Sequence, residues 1–158
     1  MITINYLIKR AEAFYTASNS AGHFFSFGKG RASDMVSEPA EEGTKTPHNY
    51  PLLWAEPINF LPDFQAAAPY VRRYMNFYFL DALTTDMNNY VNALSDMELE
   101  ALDFIEWFKL DGAEKGFRIE SIENSQQLID TTQDKLAGWQ VKLVIACPRH
   151  QGACYINV

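Results

Sequence analysis

Apolar positions along this chain recur with two different periods, and each change of period marks an element. The clearest period of two runs from Tyr70 to Leu83 (YVRRYMNFYFLDAL). Met75, Phe77 and Phe79 are wholly apolar, while Tyr74, Asn76 and Tyr78 between them carry polar tips. A strand points successive side chains to opposite faces, so this pattern predicts one dry face and one amphipathic face. A second run places Trp139, Val141, Leu143 and Ile145 on one face and Gln140 and Lys142 on the other, which predicts a strand over Trp139–Cys147, ended by Pro148. Shorter patterns predict strands over Tyr50–Pro57 and Phe117–Ile122. Prolines at both ends of the former fit an edge strand or a strand end. Leu52–Leu61 and Val71–Leu83 are expected to pair antiparallel. The aromatic stretch His23–Phe27 reads either as a short strand or as an anchor.

Helical spacing appears twice. In Thr3–Thr16, Ile4, Leu7, Ile8, Ala11, Phe14 and Tyr15 share one face, and Thr3 can cap the first turn. In Ser95–Lys109, Ser95 and Glu98 match a capping box, and Leu94, Ala101, Leu102, Ile105 and Phe108 form an apolar stripe. Asp111-Gly112 is expected to stop that helix. Polar composition predicts a loop over Thr84–Leu94 and a link over Asn124–Asp134. The order helix, strand pair, helix, strand pair predicts an α+β fold: an antiparallel β-sheet with two helices packed on one face. The other sheet face, with Tyr74 and Tyr78, is left to meet solvent, another layer or another subunit. Ala17–Asn49 is rich in Gly, Ser, Glu and Lys and reads either as a long surface loop or as an arm that orders against a neighbouring subunit.

Length and composition narrow this picture. A chain of 158 residues that is 47% hydrophobic is expected to make a single domain, 1–158, with a real core. The net charge of -7 argues against general nucleic-acid binding, which needs clustered Lys and Arg on phosphates. Lys9 and Arg10 follow a short apolar run rather than precede a long one, and no apolar run approaches the ~18–20 residues that span a bilayer. The expectation is a chain made in the cytoplasm, with reduced cysteines and no membrane partner.

Candidate chemistry is sparse. Cys147, His150 and Cys154 carry metal-ligating atoms, but their spacing is not a common zinc pattern, and a fourth ligand would have to come from His23 or His48. The pattern reads better as two reduced cysteines near a strand end. Glu98, Glu100, Asp103 and Glu106 read as a solvated helix face rather than a paired acid and base. Gly28, Lys29 and Gly30 resemble a phosphate loop without the flanking strand and helix that such a loop requires. Trp54, Trp107 and Trp139 are expected as core anchors. No catalytic, cofactor or metal residues are assigned, and no enzyme is expected.

The stretches WAEPINFLPDF, RRYMNFYFLDAL, SDMELEALDFIEWF, FRIESIENS and LAGWQVKLVIACP, in this order, resemble a group of small tail-completion proteins of tailed bacteriophages. That group includes tail terminators and neck ring proteins. The matching positions are Trp54, Tyr74–Asp81, Ser95–Phe108 and Leu136–Val144, within a resemblance spanning Thr3–Phe14 and Tyr50–Pro148. The resemblance implies a virion structural protein. It would form a homo-oligomeric ring, a hexamer or a dodecamer, between the capsid portal and the tail tube, next to other neck and tail proteins. DNA would pass through the channel without specific binding, which an acidic surface favours. The competing reading is a cytoplasmic α+β module that holds a peptide or small ligand on the Tyr74/Tyr78 face.

Overall fold

The structure is a computed structural model that describes residues 2–17, 22–27, 50–58, 69–84, 86, 88–130 and 135–149. In chain order the elements are α1 (Ile4–Ala17), β1 (Phe24–Phe27), β2 (Leu52–Pro57), β3 (Tyr70–Ala82), α2 (Tyr90–Lys115), β4 (Arg118–Asp130) and β5 (Leu136–Pro148). The strands form one sheet in the order β1-β2-β3-β5-β4. The fold is α+β, as the periodicities predict, but the sheet is mixed rather than antiparallel. β1 runs parallel to β2, and every other neighbouring pair is antiparallel. Two parallel neighbours need a long connection between them, and the stretch from Phe27 to Leu52 supplies the length. Because β1 covers Leu52–Ala55, β2 is an interior strand and not the edge that its prolines suggest. Most of the expected loop or arm after Ala17 lies outside the described residues, but Phe24–Phe27 within it joins the sheet.

Both helices cover one face. Met75, Phe77 and Phe79 of β3, Val141, Leu143 and Ile145 of β5, and Leu53 and Ala55 of β2 meet Leu7, Ile8, Ala11, Phe14 and Tyr15 of α1 and Met97, Ala101, Phe104, Ile105 and Phe108 of α2. This is the dry face that the alternation in β3 and β5 predicts. Phe104 sits at its centre, with ring centroids 5.3 Å from Phe14, 4.8 Å from Phe77, 5.5 Å from Phe79 and 5.1 Å from Phe108. β3 and β5 approach closely over Gly138, where a Cβ would stand 1.8 Å from the Phe79 carbonyl oxygen. No side chain larger than hydrogen fits there without moving the backbone.

α1 begins as expected, with the Tyr6 amide donating to Thr3 Oγ1 at 3.1 Å. α2 differs from its expected bounds at both ends. It starts at Tyr90, so Ser95 and Glu98 are exposed side chains inside the helix rather than a cap. Asn89 precedes it, and its amide binds the incoming loop instead, accepting from the Thr84 amide at 2.8 Å and donating to the Ala82 carbonyl at 3.2 Å. At the other end the helix runs through Asp111-Gly112 and stops at Gly116, whose φ of 87° suits a residue without a side chain. Asp111 is held by Arg10 of α1. Gly112 lets Phe117 fold back onto the last turn, since a Cβ would stand 2.7 Å from the Phe117 carbonyl oxygen. Leu102, expected in the buried stripe, is 54% exposed, because the stripe runs through Met97, Ala101, Phe104 and Phe108.

β4 extends past the expected Phe117–Ile122 to Asp130, so the polar link from Asn124 onward is strand. Among the described residues it is an edge strand with one neighbour, and polar residues suit its exposed positions. Its pairing with β5 shifts between Ile119 and Ser121 and between Glu123 and Ser125, next to Asn124 at φ 43°. Such bulges re-aim an edge strand.

Candidate functional site

The face turned away from the helices is organised by polar pairs at one end and a small apolar cluster at the other. Even-numbered residues of β3 point to this face. Tyr78 donates its hydroxyl to Glu56 Oε2 at 2.7 Å, and Asn76 Nδ2 donates to the same oxygen at 2.9 Å. Arg72 grips Glu120 with two nearly parallel bonds, Nε to Oε2 at 2.6 Å and Nη2 to Oε1 at 2.8 Å. These bonds hold the Glu120 carboxyl below its ordinary range. Lys142 Nζ stands 2.8 Å from Glu123 and 5.8 Å from the Tyr74 ring centroid. The Arg118 guanidinium lies 4.7 Å from the Tyr70 ring centroid. Gln126 donates to Gln140 at 2.8 Å. At the apolar end Trp54, Tyr78, Leu80 and Leu136 pack with Tyr50 and Leu128.

Chemically, this face is a set of paired polar side chains beside a small apolar cluster. Arg72 of β3 is paired with Glu120 of β4, Lys142 of β5 with Glu123 of β4, and Glu56 of β2 accepts from Tyr78 and Asn76 of β3. Of the two tyrosines singled out by the alternation, Tyr78 is buried and bonded, and Tyr74 is half-buried beneath Lys142.

A second cluster lies on the helical side. Glu100 of α2 accepts a short hydrogen bond from the Tyr15 hydroxyl of α1. The His23 Nδ1 stands 3.1 Å from Glu100 Oε2. The Tyr15 and His23 rings meet edge to face at 5.3 Å. Burial pushes the Glu100 carboxyl above its ordinary range and, chiefly by the same cause, raises the Tyr15 phenol. Burial also raises Asp81 nearby. Expected as part of a solvated face, Glu100 is instead a junction between α1, the start of β1 and α2. Glu98, Asp103 and Glu106 are exposed, as that reading has it. A sequence signal for Glu100 exists only in retrospect: it falls on the flank of α2 turned toward Trp107 and α1, four residues before Phe104.

Cys147 is buried in the core under the helices, and burial pushes its thiol up to about 11. Its place is therefore that of a small apolar side chain. His150, Cys154, His48, Gly28, Lys29 and Gly30 lie outside the described residues. Among the described residues, no group of three His, Cys, Asp or Glu side chains is arranged to hold a metal. No described helix is long and apolar enough to cross a membrane. Trp54 is buried on the far face, while Trp107 and Trp139 are half-buried against the core.

No protein-family model matches the chain, and no curated protein is significantly similar to it.

Proposed function

We propose that this chain is a structural subunit of a tailed-phage virion. It would assemble into a ring at the head–tail junction, as a tail terminator or a neck subunit joining the tail tube to the capsid portal. The reading takes its family from the stretches around Trp54, Tyr74–Asp81, Ser95–Phe108 and Leu136–Val144. The observation that supports it best is the division of the sheet. One face is consumed by two helices, and the other carries the Arg72–Glu120 and Lys142–Glu123 pairs beside the apolar cluster around Trp54. A subunit that must hold neighbours in fixed orientation is served by side chains already bonded to one another. A net charge of -7 also suits a passage along which DNA slides without sticking. Other neck and tail proteins would be the remaining partners, and the role proposed is not enzymatic.

Size-exclusion chromatography with light scattering, followed by electron microscopy of the purified protein, tests the proposal. Closed rings are the expected result. A chain that stays monomeric at every concentration and is missing from purified virions would end it.

A further inference from the structure

We propose that the β4 edge of one copy of this chain is the docking site for the β1 edge of the next. This rests on the ring reading above and names the contact that joins its subunits. β1 and β4 are the two ends of the sheet, and among the described residues each pairs with one strand only. An edge strand carries a row of backbone N–H and C=O groups ready to pair with another chain. Proteins that must stay apart blunt such edges with charge, proline or bulges. Here both edges also display apolar side chains. Phe24 is 39% and Phe27 59% exposed on one, and Ile122 is 45% and Ile129 49% exposed on the other.

The two edges are complementary in direction, in length and in the side to which their apolar residues point. β1 runs with β2, β2 against β3, β3 against β5 and β5 against β4, so β1 and β4 run in opposite directions. A copy set beside the first by rotation about an axis along the strands therefore brings β4 against β1 as an antiparallel pair, the slightly stabler ladder. The bulges interrupt only the first half of β4. From Ser125 to Ile129 its register with β5 is unbroken, long enough to receive the four residues of β1. Phe25 and Phe27 align with Leu53 and Ala55 on the helical side of the sheet, and Ile129 aligns with Ala137 on that same side. Joining the edges thus continues one sheet from copy to copy, and the register that keeps all of β1 on β4 sets Phe25 opposite Ile129 and Phe27 opposite Gln127, diagonal to Ile129 on the helical side. Because the two patches differ, the contact is head to tail and repeats until rotation closes it.

Two substitutions at exposed positions test this. Phe27→Lys spoils the β1 edge and Ile129→Lys the β4 edge, and circular dichroism checks that both variants fold. Each alone is expected to weaken assembly on the order of 100-fold in light scattering, since a charge is buried in the junction. Mixed together they are expected to form a one-to-one dimer and nothing larger. The Phe27→Lys copy keeps an intact β4 edge, and the Ile129→Lys copy keeps an intact β1 edge. If either variant alone assembles like the wild type, or dimerises with itself, this contact is wrong while the ring reading survives. A wild-type chain that never self-associates overturns this contact, and its absence from purified virions as well overturns the ring reading.

Discussion

The two faces of the sheet are specified by different physics. Under the helices, Phe14, Phe77, Phe79, Phe104 and Phe108 hold together through shape and dispersion, and their side chains are buried to 5% exposure or less. On the far face, Glu56, Arg72, Asn76, Glu120, Glu123 and Lys142 hold together through directed bonds between half-exposed groups. The first kind of contact makes the fold, because apolar burial is worth more per residue than partly solvated polar pairs. The second kind shapes a surface at little energetic gain. The far face can therefore change without unfolding the chain, whereas the helical side tolerates little.

The contrast is broken most severely at Phe104. Phe104→Ala removes the ring that joins α1, α2 and β3, and is expected to cost about 3–5 kcal/mol in urea unfolding. A loss below ~1 kcal/mol would mean that the helical layer is not packed as described. Asp111→Ala comes next. It strips Arg10 of its carboxylate while leaving its contact with the Trp107 ring at 5.8 Å. Because Arg10 is a quarter exposed, the expected cost is about 2 kcal/mol, below that of a fully buried pair. On the far face, Tyr78→Phe deletes one donor to Glu56 and leaves Asn76 in place, so about 1 kcal/mol is expected.

The smallest effect is the sharpest in sign. Glu100, raised by burial, binds its proton more readily folded than unfolded. Its contribution to stability is present below the ordinary glutamate value of ~4.3 and is lost as pH rises toward the raised folded value. Glu120, lowered first by the hydrogen bonds from Arg72, contributes above that ordinary value and loses its contribution as pH falls through the lowered one. Urea midpoints between pH 3 and 7 should show Glu100→Gln gaining on the wild type as pH rises. Glu120→Gln should gain on it as pH falls. Shifts of the same sign for both variants would erase the distinction between the two faces.

How much of this could be read from the chain follows the same division. The dry stripe of β3 and β5 and the inner face of α1 were legible because burial imposes a strict period. The ends of α2 were not. Ser95 and Glu98 satisfy a local capping rule, yet the helix begins five residues before Ser95 and uses Asn89 to hold the loop. Asp111-Gly112 has the form of a stop signal, but Asp111 answers to Arg10, 101 residues away, and Gly112 to the ring of Phe117. β1 was hard to place for a related reason. Four residues in parallel pairing leave almost no local trace, and only the partner strand settles the direction. The second half of β4 was hidden because an edge strand needs few apolar residues. The cluster at Glu100 combines α1, the start of β1 and α2, and no spacing in the sequence announces it.

The placement of the three indole rings makes the molecule its own optical reporter. Trp54 lies in the apolar cluster of the far face, Trp107 lies in the seam where Phe14 and Arg10 of α1 meet α2, and Trp139 donates its N–H to the Leu94 carbonyl of α2 at 3.1 Å. Variants retaining one indole each would let emission wavelength record, layer by layer, the sequence in which the molecule comes apart. The same signals would test whether the contact proposed between copies reaches the seam between the helices.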